Sequence, residues 1–206
     1  MFSRFKTLLL RSAAVVMMAA LFPALLPGQI LPVGNRDAPE RLQQSARRSE
    51  VVEITTPSGD RIKARVVYPQ GGAPAPVVVA LHGIPGWTPW IQMLADQLAA
   101  EGFIAIAPDM VSGKGAEGKG SEGMAVDDAA KLVFALTWEE VVERINAVAE
   151  YAMALPAAEK RFAVVGFCWG GRTAFAYAGE RPDLGAAVVY YGESPAADVL
   201  ARLLKN

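Results

Sequence analysis

The chain has 206 residues, of which 52% are hydrophobic and 20% are charged, as is typical of a globular protein rather than a disordered one. That length corresponds to about one domain with a core of its own. The formal net charge of −1 argues against a nucleic-acid partner, which would require clustered positive charge.

The first 27 residues have the pattern of an export signal. Three basic residues, Arg4, Lys6 and Arg11, precede an uncharged apolar stretch over residues 13–26. This stretch is short for a transmembrane helix, which needs roughly 20 apolar residues. We therefore expect residues 1–27 to be a signal peptide and the protein to be periplasmic or secreted. An uncleaved anchor, the only predicted contact with a membrane, is one alternative, and a buried first helix of the domain is another.

The chain then passes from a linker into a domain. Residues 28–49 show little periodicity and are predicted to be a linker, followed by a domain over residues 50–206. Two runs rich in β-branched residues, 51–56 and 61–68, flank the turn-forming residues 57–60. This pattern predicts an antiparallel hairpin at the start of the domain.

After the hairpin, predicted strands alternate with predicted helices. Continuous apolar runs, typical of parallel strands buried on both faces, occur at 77–81, 103–107, 161–166 and 186–191. Helical patterns occur at 90–100, 127–136, 137–155 and 170–180, and a short helix follows the last strand. The second of the two central helices begins with a capping box, Thr137-Trp138-Glu139-Glu140. The alternation predicts an α/β fold with a mostly parallel sheet and helices on both faces.

One buried strand runs directly into a helix through Gly166-Phe167-Cys168-Trp169-Gly170. In that context the pattern predicts a nucleophile elbow, in which Gly166 and Gly170 are small because the chain crowds together there. The start of the helix favours the thiolate of Cys168. The alternatives are a buried structural cysteine and a thiol with a redox role. Because Cys168 is the only cysteine, an internal disulfide is excluded.

The segment 166–172 resembles the elbow of the dienelactone hydrolase family, which uses cysteine where most α/β-hydrolases use serine. The resemblance covers most of residues 50–192. Its further motifs are Leu81-His82-Gly83-Ile84-Pro85-Gly86, Gly102-Phe103, Ala107-Pro108-Asp109 and Tyr190-Tyr191-Gly192.

The resemblance implies an α/β-hydrolase-type sheet and a hydrolase that cleaves small carboxylic esters or lactones through a thioester on Cys168. The substrate would be a small molecule, and neither a cofactor nor a metal ion is expected. The resemblance also implies an oxyanion hole made by the backbone N–H groups of Ile84 and Trp169. Such donors each contribute about 2.7–4 kcal/mol to the stability of the transition state.

The family's mechanism resembles a Cys–His–Asp triad in which the acid and the histidine follow the nucleophile. Neither is recognised after Cys168, and the last two strands of the family's sheet are absent before Asn206. We therefore interpret the domain as incomplete, truncated at its C-terminus. The only histidine, His82, is predicted to hold the oxyanion loop by hydrogen bonding, with a general-base role as the alternative. The acidic residues near the motifs, predicted to be surface or loop-closing carboxylates, are Asp109, Glu193 and Asp198.

Two further positions depart from the family pattern. Gly83 occupies the position of a glutamate that lies near the thiol in the type enzyme. The family's carboxylate-binding arginine corresponds to a position near Gly113, where Lys114 is the candidate substitute. Both residues lie in a Gly-, Lys- and Ser-rich loop over residues 112–123, which is predicted to be mobile and near the mouth of the site. These departures leave a second hypothesis, a catalytically inactive remnant or binding module that retains the pocket.

Overall fold

The computed structural model describes residue 34 and residues 36–203. The predicted signal peptide at 1–27 and the first part of the predicted linker lie outside these residues. No helix in the described part of the chain combines the length and apolar character needed to cross a membrane.

In the described part of the chain, six strands form one sheet. Their bounds are Ser49–Thr55 (β1), Arg61–Val67 (β2), Ala75–Leu81 (β3), Ile104–Pro108 (β4), Ala158–Phe167 (β5) and Ala186–Tyr190 (β6). Their spatial order is β1-β2-β4-β3-β5-β6. β1 and β2 pair antiparallel, as do β2 and β4, whereas the pairs β3–β4, β3–β5 and β5–β6 are parallel. The predicted hairpin and the mostly parallel sheet are both confirmed.

The described residues contain six α-helices. Their bounds are Ala38–Gln44 (α1), Pro89–Ala100 (α2), Val126–Ala135 (α3), Trp138–Ala154 (α4), Trp169–Tyr177 (α5) and Ala197–Leu203 (α6). The capping box of α4 is present, because the Thr137 side chain accepts from the Glu140 N–H and the Glu140 carboxylate accepts from the Thr137 N–H. These two bonds satisfy donors that every helix N-terminus leaves unpaired.

The core lies on both faces of the sheet because successive side chains of a strand point in opposite directions. In β3, Val77, Val79 and Leu81 belong to a cluster with the apolar side of α4 and the buried residues of α5. Val78 and Ala80 belong to a second cluster with the apolar side of α2. Both faces of the central strands are therefore covered, which explains their continuous apolar runs.

The segment predicted to be a linker contains structure that was not expected. Helix α1 packs on α2, where Ala38 and Leu42 contact Met93 and Trp90. Beyond α1, the Arg47 guanidinium donates to the buried Asp96 carboxylate at 2.6 Å. Seven residues are too short for a helix that forms by itself, so α1 depends on this tertiary packing.

The loop after β4 is tied to the carboxyl end of the sheet by Asp109. Its buried carboxylate accepts from the Ser121 N–H at 2.7 Å, from the Ser121 hydroxyl at 2.8 Å and from the Val111 N–H at 3.2 Å. The Ser121 hydroxyl oxygen also accepts from the Trp87 N–H at 2.8 Å. The loop predicted to be mobile is thus anchored at both ends of residues 112–121, and the prediction that Asp109 closes a loop is confirmed.

Arg144 of α4 also anchors the loop after β4. Its side chain is 1% exposed and donates to the carbonyl oxygens of Met110 and Ser112 at 3.2 and 3.1 Å. The second guanidinium nitrogen bonds to the partly exposed carboxylate of Asp60. A charged group is stable at this depth only because each of these partners compensates for its lost hydration.

Strand β6 differs from the other parallel strands. It pairs with β5 alone among the described residues, and every one of its five residues is exposed. Val188 and Tyr190 are 44% and 49% exposed. Among the described residues, β6 is therefore an exposed edge strand of the sheet.

Replacing Arg144 by methionine should lower the free energy of unfolding by about 3 kcal/mol, because two carbonyl groups and Asp60 lose a buried partner. Urea denaturation followed by circular dichroism measures this change. The control, Arg161→Met, removes an exposed guanidinium paired with Glu159 and should cost less than about 1 kcal/mol. Equal losses in the two variants would contradict the anchoring role of Arg144.

Candidate active site

Cys168 lies at the turn between β5 and α5, as the elbow motif predicts. Its φ of 55° and ψ of −115° lie in a region that a residue with a side chain rarely adopts. Two backbone bonds of 3.0 Å hold this conformation, from the Cys168 N–H to the Tyr190 carbonyl and from the Arg172 N–H to the Cys168 carbonyl. The side chain is half-buried. The thiol is therefore held off the end of the sheet at the start of a helix.

The two elbow glycines permit a close approach that no other residue would allow. A Cβ at Gly166 would overlap the carbonyl group of Gly170. A Cβ at Gly170 would lie 2.5 Å from the carbonyl oxygens of both Leu81 and His82. The first turn of α5 therefore packs directly on the end of β5 and on the end of β3.

The predicted oxyanion donors lie on either side of Cys168. Ile84 is in the turn after β3, which is closed by a 3.0 Å bond from the Gly86 N–H to the Gly83 carbonyl, and Trp169 is the first residue of α5. Ile84, Cys168 and Trp169 line one cleft together. Within the part of the chain that the structure describes, no hydrogen bond uses the N–H of Ile84 or Trp169. Both groups are available to a ligand.

Gly83 lies against Cys168. A Cβ built at this position would be 3.3 Å from the Cys168 Cβ and 3.1 Å from the Phe167 carbonyl oxygen. Any side chain at position 83 would therefore start beside the thiol. With glycine there, the acidic neighbour expected from the family pattern is not supplied by this position.

His82 is buried and engaged at both ring nitrogens. Nε2 lies 3.0 Å from the Met110 N–H, which can only donate, so Nε2 accepts and Nδ1 carries the proton that is donated to the Gly83 carbonyl at 2.8 Å. The ring also stacks on Trp169 at 5.9 Å. Neither nitrogen is left to take a proton from Cys168. The prediction that His82 holds the loop is confirmed, and the general-base alternative does not fit these bonds.

Of the other charged candidates, Glu193 alone lines a cleft together with Cys168. Lys114 was the candidate substitute for the carboxylate-binding arginine. That prediction is wrong, because its Nζ pairs with Glu140 at 2.6 Å and with Asp60 at 3.1 Å. Glu193 is exposed and lies 3.9 Å from Arg172, and Asp198 lies in the first turn of α6. Among the described residues, no group of three or more His, Cys, Asp or Glu side chains is placed to hold a metal ion.

Two clefts meet at Cys168. The larger has a volume of about 600 Å³ and extends over the aromatic rings of Trp90 and Phe167. The smaller has a volume of about 220 Å³ and contains Arg172 and Glu193. The sequence pattern predicted the position of Cys168 at the elbow but missed Trp90, Phe167 and Arg172 as lining residues. The position of Phe167 inside the elbow motif was the one signal that could have placed it there.

Burial lowers the pKa of His82, against the opposing effects of the Asp109 charge and of the Gly83 carbonyl. The unfolded chain therefore binds a proton below about pH 6.5 that the folded chain does not bind, and stability is lost as the pH falls through that value. We expect a loss of about 1.4 kcal/mol between about pH 7.5 and about pH 5.5.

Urea denaturation at the two pH values tests this dependence cleanly because the chain has a single histidine. The His82→Gln variant should be less stable at both values but should lack most of the pH-dependent loss. An unchanged slope in that variant would contradict the assignment of a neutral, buried imidazole.

Comparison with known proteins agrees with this geometry. The family model described as "Dienelactone hydrolase family" matches residues 62–203. A "Putative carboxymethylenebutenolidase" of Yersinia pestis is 35% identical over 144 residues, which are 68% of this chain and 53% of that protein. "Carboxymethylenebutenolidase 1" of Cupriavidus pinatubonensis is 34% identical over 146 residues, which are 70% of this chain and 62% of that protein. The chain thus spans between about half and two thirds of the length of these relatives.

A solved structure has the same architecture. The crystal structure of a "Putative Dienelactone Hydrolase" from Klebsiella pneumoniae matches with a TM-score of 0.65 and 29% identity, covering 74% of this chain and 62% of that chain. The aligned region of the family model contains the oxyanion turn, the elbow and β6. By its sequence, its sheet and the conformation of its elbow, the chain belongs to the dienelactone hydrolase family.

Proposed function

We propose that this chain carries the nucleophile and the oxyanion hole of a hydrolase that cleaves small carboxylic esters or lactones. The observation that supports this most directly is the strained backbone of Cys168 between β5 and α5, with a φ of 55°. Residues are held in such a conformation only where their surroundings over-determine it, and such positions concentrate at reactive sites. The relatives that are named carboxymethylenebutenolidases support the same class of reaction.

The reaction would proceed through a thioester. The Cys168 thiolate attacks the carbonyl carbon, so that a C–S bond forms and the carbonyl π electrons move to oxygen. The N–H groups of Ile84 and Trp169 then donate to this oxyanion. Its collapse re-forms the carbonyl group and breaks the C–O bond to the alcohol. Water finally attacks the thioester carbon, and the C–S bond breaks. The carboxylic acid is released and the thiol is regenerated.

Proton transfer limits which substrates the described residues can process. An alkoxide leaving group needs a proton, and His82, the chain's single histidine, is not free to donate one because both of its ring nitrogens are engaged with the loop. A stable phenolate leaves without a proton. With an aryl ester, the attack by Cys168 and its stabilisation by the oxyanion donors can therefore be measured separately from the steps that need an acid or a base.

The alternative function is that of a catalytically inactive remnant or binding module with a hydrolase-like pocket. The observation that favours it is again His82, the chain's single histidine, whose two nitrogens serve the loop. The two proposals differ in one measurable respect. A module that only binds would take an ester into its cleft without acylating Cys168.

Mixing the full chain with 4-nitrophenyl acetate should release a burst of one equivalent of 4-nitrophenolate, followed by slow turnover. Acylation should be at least roughly 10²-fold faster than for a free thiol, since one oxyanion donor contributes about that factor. Stopped-flow absorbance gives the burst rate, and mass spectrometry of the intact protein and its peptides locates the acetyl group.

The control for this experiment moves the single thiol. In the double variant Cys168→Ala/Ser194→Cys the cysteine is placed at an exposed residue after β6, and it should react no faster than glutathione. The Cys168→Ala variant alone should give no burst. A burst that survives Cys168→Ala, or equal rates for the original and the relocated thiol, would overturn the proposed function.

We also propose that residues 1–27 direct export or anchoring, as the basic and apolar pattern favours. A fusion of residues 1–49 to alkaline phosphatase, which is active only after export, should show activity in Escherichia coli. Replacing Arg4, Lys6 and Arg11 together by glutamate should reduce that activity strongly. Equal activity with and without residues 1–27 would contradict the proposal, and the mass of the exported product distinguishes a cleaved signal from an anchor.

A further inference from the structure

We infer that the site selects uncharged esters with an apolar acyl group, which occupies the larger of the two clefts at Cys168. This inference rests on the proposed function and names its substrate class. It differs from the expectation of an acidic lactone, whose carboxylate would need a cationic partner in the cleft that takes the acyl group.

The larger cleft offers an apolar surface that begins at the nucleophile. Phe167 immediately precedes Cys168, and its ring meets Trp90 edge to face at a centroid distance of 4.8 Å. Ile91 lies behind them and is 1% exposed, while Val126 at the start of α3 lies at the rim and is 54% exposed. Trp90 and Val126 thus give the cleft accessible apolar surface for methylene groups, backed by the buried Phe167 and Ile91. A volume of about 600 Å³ is within the range of small-molecule sites.

The described residues that line this cleft carry no charge that could bind an anion. Among the described residues that line it, the one titratable side chain besides Cys168 and Tyr191 is His82, which is neutral because its Nε2 accepts from the Met110 N–H. A carboxylate placed there would lose hydration without gaining an ion pair, which is strongly unfavourable. An alkyl group would instead gain from leaving water.

The smaller cleft differs in that charged side chains lie beside its aromatic ones. Phe134 and Trp169 line it together with Arg172, which is 59% exposed on the first turn of α5 and has Glu193 at 3.9 Å. A charged part of a ligand is better placed there than in the larger cleft, because the guanidinium remains accessible. The two clefts therefore divide a substrate at its carbonyl carbon between a side whose described lining carries no charge and a side that contains an arginine.

This division predicts a dependence on acyl-chain length. A fully buried methylene contributes about 0.8 kcal/mol, or about a fourfold rate increase when it is buried in the transition state. Because the larger cleft is open to solvent, we expect between about twofold and fourfold per methylene from 4-nitrophenyl acetate to the hexanoate.

The decisive comparison uses two esters of equal length that differ in charge, 4-nitrophenyl hexanoate and 4-nitrophenyl hydrogen adipate. Burst rates of Cys168 are divided by those of the relocated thiol in Cys168→Ala/Ser194→Cys, which removes the intrinsic reactivity of each ester. The normalised rate should be at least about tenfold higher for the hexanoate.

A charge placed in the larger cleft should reduce this ratio. Val126→Lys puts an ammonium group at the rim. We expect the ratio of the hexanoate rate to the adipate rate to fall at least about fivefold, because a partly exposed ion pair with the adipate carboxylate is strong enough for a change of this size. The matched control, Val51→Lys, adds the same charge at an exposed residue of β1, on the opposite edge of the sheet from β6, and should leave the ratio unchanged.

Two results would overturn the inference. One is equal normalised rates for the two esters. The other is a preference for the adipate ester that is abolished by Arg172→Met, which would place the acyl group in the smaller cleft.

Failure of the proposed function can be separated from failure of this inference by alkylating Cys168 without an acyl step. N-Hexyl iodoacetamide and its analogue with a terminal carboxylate test the same preference of the cleft for an uncharged chain. They do so even if esters do not acylate Cys168. Faster alkylation by the neutral reagent, relative to the relocated thiol, would support the apolar cleft even if the burst were absent. Equal alkylation rates would overturn it.

Discussion

The close approach of three chain segments at the elbow is the constraint on which the rest of the site depends. The first turn of α5 packs against the ends of β5 and β3 at distances that only glycine permits at Gly166 and Gly170. That contact leaves Cys168 no relaxed conformation, so its backbone adopts a positive φ. The same contact places the turn that carries Ile84 beside the thiol. The proposed nucleophile and the proposed oxyanion donors are therefore positioned by the same close packing.

Polar side chains near the site serve mainly to hold this arrangement together. Asp109, His82 and Arg144 are buried, and each satisfies backbone groups of the loop that follows β4. A loop whose backbone groups lie at this depth needs such partners, because an unpaired buried N–H or carbonyl costs about 1–3 kcal/mol. These three side chains could act as acids, bases or charged groups in a reaction, but here they stabilise the loop. The proposed site at Cys168 relies instead on backbone donors and an apolar cleft, which is consistent with this structural role.

Local patterns in the sequence were sufficient for much of the fold. The hairpin, the central strands, the capping box of α4 and the elbow could all be predicted, because each is determined by neighbouring residues and a repeating apolar pattern. Helix α1 could not, since its stability comes from contacts with α2 that are distant in sequence. The partners of Lys114 were missed for the same reason, as Asp60 and Glu140 lie in other parts of the chain. The apolar run of β6 is typical of a buried strand, yet the described residues leave it exposed.

The exposure of β6 has a consequence for the thiol itself. The Tyr190 carbonyl at the end of β6 accepts the Cys168 N–H at 3.0 Å, so the strained residue is tied to the least buried strand of the sheet. Edge strands with few apolar contacts open locally at a lower free energy than the whole domain unfolds. When β6 separates from β5, one of the bonds that hold the positive φ of Cys168 is released. A polypeptide or ligand that paired with β6 would therefore stabilise the backbone conformation of Cys168 without touching the thiol.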